Sequence, residues 1–192
     1  MANLLFSEPV YPPGLSYTPD FISREEESNL LQAISKVELH TFIFQGFEAK
    51  RKVASFGYDY SFDNRSLREG KPIPKAFLPP VEKVAKHTNI SPGDFAELLV
   101  IEYPPGAVIN WHRDAPPFEI IAGISLAADC TFRLRPHEKA KQNRKSIIDL
   151  PVARRSLYVL AGEVRTDWQH STKPLSETRY SITLRTLRKT YF

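Results

Sequence analysis

The 192-residue sequence contains a single cysteine, Cys130. One thiol excludes an internal disulfide and suits a reducing compartment; it reads as a small buried hydrophobe. No apolar run approaches the roughly 20 residues that carry a helix across a bilayer, so no membrane is expected. The N-terminal stretch MANLLFSEPVYPPG lacks both a basic segment and a long apolar core, which excludes a secretory signal and leaves the cytoplasm as the expected location. Internal repeats and low-complexity tracts are also missing. What remains is an ordinary globular composition, 42% hydrophobic and 25% charged, sufficient for a real core in one domain spanning residues 1–192. A monomer is expected.

The formal net charge of +4 hides an asymmetry. From Arg133 to Phe192 there are 14 Lys and Arg against 5 Asp and Glu, whereas the first 132 residues carry 12 against 17. A basic C-terminal third suits a polyanion; the plainer reading is a solvated basic surface.

Residues 1–20 are Pro-rich and aperiodic and read as an extended arm. Ser23 followed by Glu26 is a capping box, and Leu30, Leu31, Ile34 and Val37 follow at helical spacing, which predicts a helix over about 24–36. HTFIFQGF and VASFGYDYSF are strand-like and aromatic. DNRSLREGKPIPKAFLPP reads as a long loop and VEKVAKHTN as a second short helix. After residue 94 the texture changes to short β-type runs: FAELLVIEY, GAVINWHRD, EIIAGISLA, CTFRLRP, KSIIDLPV, SLYVLAG, DWQHST and RYSITLR. The predicted fold is mainly β, of the α+β class: N-terminal helices and a lid segment over 1–94, then a sandwich or jelly-roll core over 95–192.

Strand alternation puts His112 and Asp114 of NWHRDAPPF on one face and Trp111 and Arg113 on the other. Trp111 therefore reads as core. An imidazole and a carboxylate side by side can take adjacent positions on a divalent metal. Of the other histidines, His170 ends a short strand inside the β-region and is the best third ligand. Two His and one carboxylate form the facial triad of non-heme Fe(II) oxygenases, with positions left for a 2-oxo acid and dioxygen. Alone the H-x-D pair is weak, since about 0.2 such matches arise by chance in a chain of this composition. Arg179 and Arg185 share a strand face with Ser181 and Thr183. Turned inward, that stripe is costly unless something anionic sits on it, and a dicarboxylate such as 2-oxoglutarate fits; turned outward, it is a run of surface arginines.

EYPPGAVINWHRD, WQHS and RYSITLR, in that order, resemble the AlkB family of Fe(II)- and 2-oxoglutarate-dependent dioxygenases. PDFIS and FGYDYS add to the likeness, which covers residues 20 to 188. The resemblance implies a double-stranded β-helix with His112, Asp114 and His170 on iron. It implies Arg179 on the distal carboxylate of 2-oxoglutarate, Arg185 near the other, and Tyr103 hydrogen-bonded to the co-substrate. Arg51, Tyr58 and Tyr60 would belong to a substrate lid. The implied activity is oxidative demethylation of N-alkylated bases in single-stranded DNA or RNA, yielding formaldehyde, succinate and carbon dioxide.

Two positions depart from the family pattern. Ile101 stands where many members have Asn, which removes one co-substrate hydrogen bond. Pro116 stands where DNA-repair members carry an acidic residue facing the methylated base. Phe118 is the expected replacement contact, and Trp168, sharing parity with His170, could line the pocket. Arg154 and Arg155 read as surface charges. The competing expectations are a protein or small-molecule hydroxylase on the same fold and a nucleic-acid-binding module with a degenerate site.

Overall fold

The computed structural model describes residues 10–44, 46–62 and 64–189. In chain order these form β1 (Leu15–Thr18), α1 (Arg24–Ile34), β2 (His40–Phe44), β3 (Phe47–Ser61), β4 (Ser66–Glu69), α2 (Leu78–Thr88), β5 (Phe95–Tyr103), β6 (Phe118–Leu126), β7 (Cys130–Pro136), β8 (Ile148–Val152), β9 (Leu157–Leu160), α3 (Gly162–Thr166), β10 (Trp168–Thr172) and β11 (Arg179–Leu187). The large sheet runs β1-β9-β6-β11-β5-β3-β2, with β4 joined to β3, and the small sheet runs β10-β7-β8. All the strand pairs are antiparallel. This is the expected jelly roll.

There are three layers. One core lies between α1, α2 and the large sheet and includes Leu30, Ile34, Val81, Val84, Leu98, Val100, Ile182 and Leu184. The other lies between the two sheets and includes Ile101, Tyr103, Phe132, Leu134, Tyr158 and Leu160. β5 and β11 are covered on both faces, which explains why their sequences lack a clean apolar–polar alternation. From Glu97 onward in β5 and up to Arg185 in β11, even-numbered residues point to the helices and odd-numbered ones into the space between the sheets; Phe95, beyond a shift in register, joins the helix-side core.

Helix α1 starts as predicted. Ser23 accepts from the Glu26 N–H at 3.1 Å, the Glu26 carboxylate accepts from the Ser23 N–H at 2.7 Å, and three glutamates occupy the first turn, where the helix dipole favours them. Helix α2 begins earlier than its apolar run suggests. Pro79 and Pro80, read as loop punctuation, fall in the first turn, where a missing N–H leaves nothing unsatisfied. The presumed long loop also contains β4, and the presumed arm contains β1, which extends the large sheet beside β9.

At Gly57 strand β3 changes partner. Lys52–Gly57 pair with β5, and Tyr58–Ser61 pair with β4. Gly57 has φ +81, and a Cβ there would collide with the Ala96 carbonyl oxygen. Only glycine serves at this position.

Arg154 and Arg155 are not plain surface charges. Glu27, only 3% exposed, accepts from Arg154 Nη2 at 2.7 Å and from the Ala127 N–H at 2.9 Å, and lies 3.6 Å from Arg155 Nη1. It ties α1 to the turns at both ends of the β7–β8 hairpin. Replacement by alanine leaves the Ala127 N–H and the Arg154 guanidinium unpaired, while Arg155 keeps Asp20 at 3.3 Å, and denaturant titration of Glu27→Ala should show a loss of about 3 kcal/mol in unfolding free energy.

Candidate metal centre and co-substrate pocket

The segment from Ala107 to Asp114 is not the regular strand its sequence suggests. It leaves β5 through Pro104, Pro105 and Gly106 and runs extended beside β10, joined by a single antiparallel bridge between His112 and His170. The N–H of each histidine donates to the other's carbonyl, at 3.1 and 2.9 Å. That bridge sets the two imidazoles side by side, with ring centroids 4.2 Å apart and planes inclined by 58°. Asp114 Oδ2 lies 3.5 Å from His170 Nε2. One donor atom from each of His112, Asp114 and His170 lies within 4.8 Å of the others, the span of ligands around one ion. His112 Nδ1 is 2.8 Å from the Asn110 carbonyl, so the N–H sits on Nδ1 and the lone pair of Nε2 is free.

Burial pushes the His170 imidazole down to about 3, helped by neighbouring His112 and opposed by Asp114. His170 is therefore neutral at physiological pH, the form a metal needs. Burial alone would raise the Asp114 carboxyl, but His170 and Arg185 outweigh it and hold it well below the usual carboxylate range. Of these two, Arg185 keeps its charge at every relevant pH, so it is the lasting cause. The cluster presents two imidazoles and one carboxylate, a donor set that suits Fe(II).

The stripe on β11 points inward, so the surface-arginine reading is excluded. Arg179 is 1% exposed and stands opposite Tyr103 in the pairing with β5, its Cζ 5.0 Å from the tyrosine ring centre. Arg179 Nε donates to Ser125 Oγ at 3.0 Å, while its Nη2 is buried without a hydrogen-bond partner, as is Ser181 Oγ. Thr183 is buried beside them. A buried cation and hydroxyl with unused donors fit a carboxylate ligand. Tyr158, which sequence reasoning missed, also faces this space. It is buried against Phe132 and lies over Gly123, where any Cβ would collide with its ring. A glycine opposite a tyrosine was the only local sign of it.

Arg185 is held from two sides. Its Nη1 donates to Glu97 Oε2 at 2.8 Å, and its Nη2 lies 3.4 Å from Asp114 Oδ1. Glu97 is 2% exposed and also accepts from Ser55 Oγ at 2.9 Å. Burial pushes the Glu97 carboxyl up, against the pull of Arg185. Arg165 on α3 is a second unforeseen support: its Nη2 donates to the carbonyls of Asp114, Ala115 and Phe118 at 3.2, 2.6 and 3.0 Å, buckling the APPF turn in place.

The predicted substrate residues are dispersed. Arg51 lies over the Phe42 ring at 4.0 Å, on the side of β3 that faces the site, and feels the charges of Asp114 and Arg185. Tyr58 and Tyr60 lie on the β3–β4 ribbon, and Tyr60 packs edge-on to Phe62. Phe118 is fully buried, with Arg185 Cζ 5.2 Å from its ring centre, so it packs under the site and presents nothing to a base. Pro116 is exposed. Trp168 is half-buried and donates from Nε1 to Glu163 at 3.4 Å. Trp111 is not in the core; it lies on the outer face of the small sheet, between that sheet's arginines and solvent.

The family profile of the 2OG-Fe(II) oxygenase superfamily matches residues 14–188. The chain is 30% identical to the tRNA (carboxymethyluridine(34)-5-O)-methyltransferase alkbh8 of Xenopus tropicalis over 172 residues, 86% of this chain and 26% of that protein. It is 31% identical to the Alkylated DNA repair protein ALKBH8 homolog of Arabidopsis thaliana, over 82% of this chain and 50% of that one. The chain thus spans half or less of the length of these relatives. Its fold matches the solved structure of OsALKBH1 with a TM-score of 0.74 at 13% identity, covering 93% of this chain and 99% of that one.

Two outcomes follow from the site. An unfolded His170 takes up a proton below about pH 6.5, whereas the folded one does so only near 3, so acid favours unfolding across that window. The urea midpoint of the metal-free protein should fall from pH 6.5 to 4.5, and fall less in His170→Gln. Removing the anchor of Arg185 in Glu97→Gln should weaken Mn(II) binding, followed by calorimetry, about tenfold.

Proposed function

The chain belongs to the 2OG-Fe(II) oxygenase superfamily and is of AlkB type, and we propose that it oxidatively demethylates N-alkylated bases of single-stranded nucleic acid. The observation that carries this reading is the joint placement of the His112–Asp114–His170 donor cluster and a buried Arg179 with an unused Nη2. The proposed iron ligands are His112, Asp114 and His170. The proposed 2-oxoglutarate contacts are Arg179, Ser181, Thr183 and Tyr103.

When bound, Fe(II) with 2-oxoglutarate and dioxygen supplies the oxidation: the co-substrate leaves as succinate and carbon dioxide, and one oxygen atom is inserted into a C–H bond of the N-methyl group. The N-hydroxymethyl product releases formaldehyde and regenerates the N–H. The residues of this chain position and exclude. Arg179, in a buried site with no competing carboxylate among the described residues, neutralises the distal carboxylate of the co-substrate. Arg185 orients the Asp114 carboxylate, and Glu97 fixes Arg185. Phe132 stacks on His170, with centroids 6.1 Å apart, and keeps water from that ring.

A nucleic-acid substrate is supported by the basic C-terminal third and by the aromatics on β2, β3 and the β3–β4 turn. Phe47 is 78% and Phe62 41% exposed, and Arg51 lies over Phe42. Such rings stack on unpaired bases without regard to sequence. Pro116 in place of an acidic residue favours a base-recognition mode without a charge opposite the methylated ring.

The test is formaldehyde release from single-stranded DNA and RNA carrying N-methylated bases, with 2-oxoglutarate consumption measured in parallel. We expect release from at least one strand, and its abolition together with Mn(II) binding in His112→Ala. Steady 2-oxoglutarate turnover with no formaldehyde from any strand would overturn the nucleic-acid reading and point to hydroxylation of a peptide or small molecule.

A further inference from the structure

The outer face of the small sheet carries a cluster that the chemistry above leaves unused. Trp111 immediately precedes His112 and points away from the donor cluster. Two guanidinium groups from β7 stand over its indole: Arg135 Cζ is 4.4 Å and Arg133 Cζ 5.0 Å from the ring centroid. Phe132 and Leu134, between and beside them on β7, point the other way into the core. Each cation–π contact is favourable, but two over one ring bring like charges together.

No carboxylate among the described residues forms an ion pair with either arginine. Asp149 stands opposite Arg133 in the β7–β8 register, yet its carboxylate is taken by Lys173 Nζ at 2.6 Å. Arg135 Nε donates to Gln169 Oε1 at 2.9 Å, a neutral partner. Arg133 Nε is buried and has no partner. Arg113, exposed on the same side of its segment, uses one N–H on the Thr166 carbonyl and has no acidic neighbour within ion-pair distance. After β7 come the exposed Lys139, Arg144 and Lys145. Arginines held against an aromatic ring, close together and without an ionic partner among the described residues, are arranged for phosphate, which the guanidinium fork meets with two parallel hydrogen bonds.

We propose that Trp111, Arg133 and Arg135 form a docking track for the sugar–phosphate backbone of a single-stranded polynucleotide, outside the pocket and flanking the nucleotide whose base enters it. The proposal deepens the nucleic-acid reading and rests on it. A phosphate between Arg133 and Arg135 relieves their repulsion and supplies the ionic partner that both guanidinium groups lack. Trp111 holds the guanidinium planes in place. Because Trp111 and His112 are consecutive residues on opposite faces of one edge segment, a strand seated on the track rounds the sheet edge at the donor cluster.

The test is fluorescence anisotropy of a labelled, unmodified 15-nucleotide oligouridine on the full chain loaded with Mn(II) and 2-oxoglutarate, from 50 to 200 mM KCl. Arg133→Gln/Arg135→Gln should bind about tenfold or more weakly, and its log–log salt slope should be shallower by about 1.4, two phosphates at roughly 0.7 each for single strands. Arg133→Lys/Arg135→Lys, which keeps the charge and loses the fork, should retain the slope and bind about threefold more weakly. Arg24→Gln/Lys86→Gln removes the same charge from exposed helix positions across the large sheet and should change neither quantity. Mn(II) affinity reports whether each variant is folded. The track is overturned if the Gln variant binds with the unaltered affinity and slope, if the helix variant loses as much, or if the unaltered protein binds no RNA. RNA binding by the track with no demethylation of any methylated strand would sink the catalytic reading alone.

Discussion

In the pairing of β5 with β11, Arg179 stands opposite Tyr103 and Arg185 opposite Glu97. A slip of one residue would turn both guanidinium groups toward α1 and α2 and bring Ile182 and Leu184 between the sheets. The apolar fit of Leu98, Val100, Ile182 and Leu184 against the helices therefore fixes where two buried cations lie. Packing on one side of the large sheet decides the electrostatics on the other. The pocket inherits its charge pattern from a register that hydrophobic burial enforces.

The donor cluster depends on a smaller constraint. His112 and His170 meet through one backbone bridge between an irregular segment and β10, too little to hold a site by itself. The remaining support comes from the Thr172 N–H donating to the Ile109 carbonyl at 3.0 Å and from side chains: Arg165 on three carbonyls of the following turn, Thr172 Oγ1 accepting from the Ile109 N–H at 2.9 Å, and Arg185 on the carboxylate. An irregular edge held by guanidinium groups lets donors approach more closely than facing strands of a flat sheet would.

Local features were legible in the sequence because their causes are local. The Ser23–Glu26 cap, the shared face of Arg179 and Arg185 on β11, the short strands after residue 94 and the pairing of His112 with Asp114 all follow from spacing. Features requiring a partner far along the chain were not. Glu97 reads as one more polar residue in FAELLVIEY until Arg185, 88 residues later, lies across from it. Arg165 looks like a surface residue of a short helix, and nothing nearby marks the three carbonyls it serves. Phe118 was misplaced because the turn's two prolines hide which way the chain leaves it; it leaves inward, under Arg185. Trp111 was assigned to the core because it alternates away from the donor face, whereas that side of the segment is the outer face of the small sheet, beside the arginines of β7.

The exchange of partners at Gly57 divides one strand between two roles. Its first part is locked to β5, where Ser55 supports Glu97, and its second part answers only to β4. Beyond Gly57 the strand touches the support of the donor cluster only at its start, where the Tyr58 carbonyl accepts from Ser55 Oγ at 3.2 Å. A single backbone position thus separates the half of the strand that packs behind the donor cluster from the aromatic ribbon beyond it.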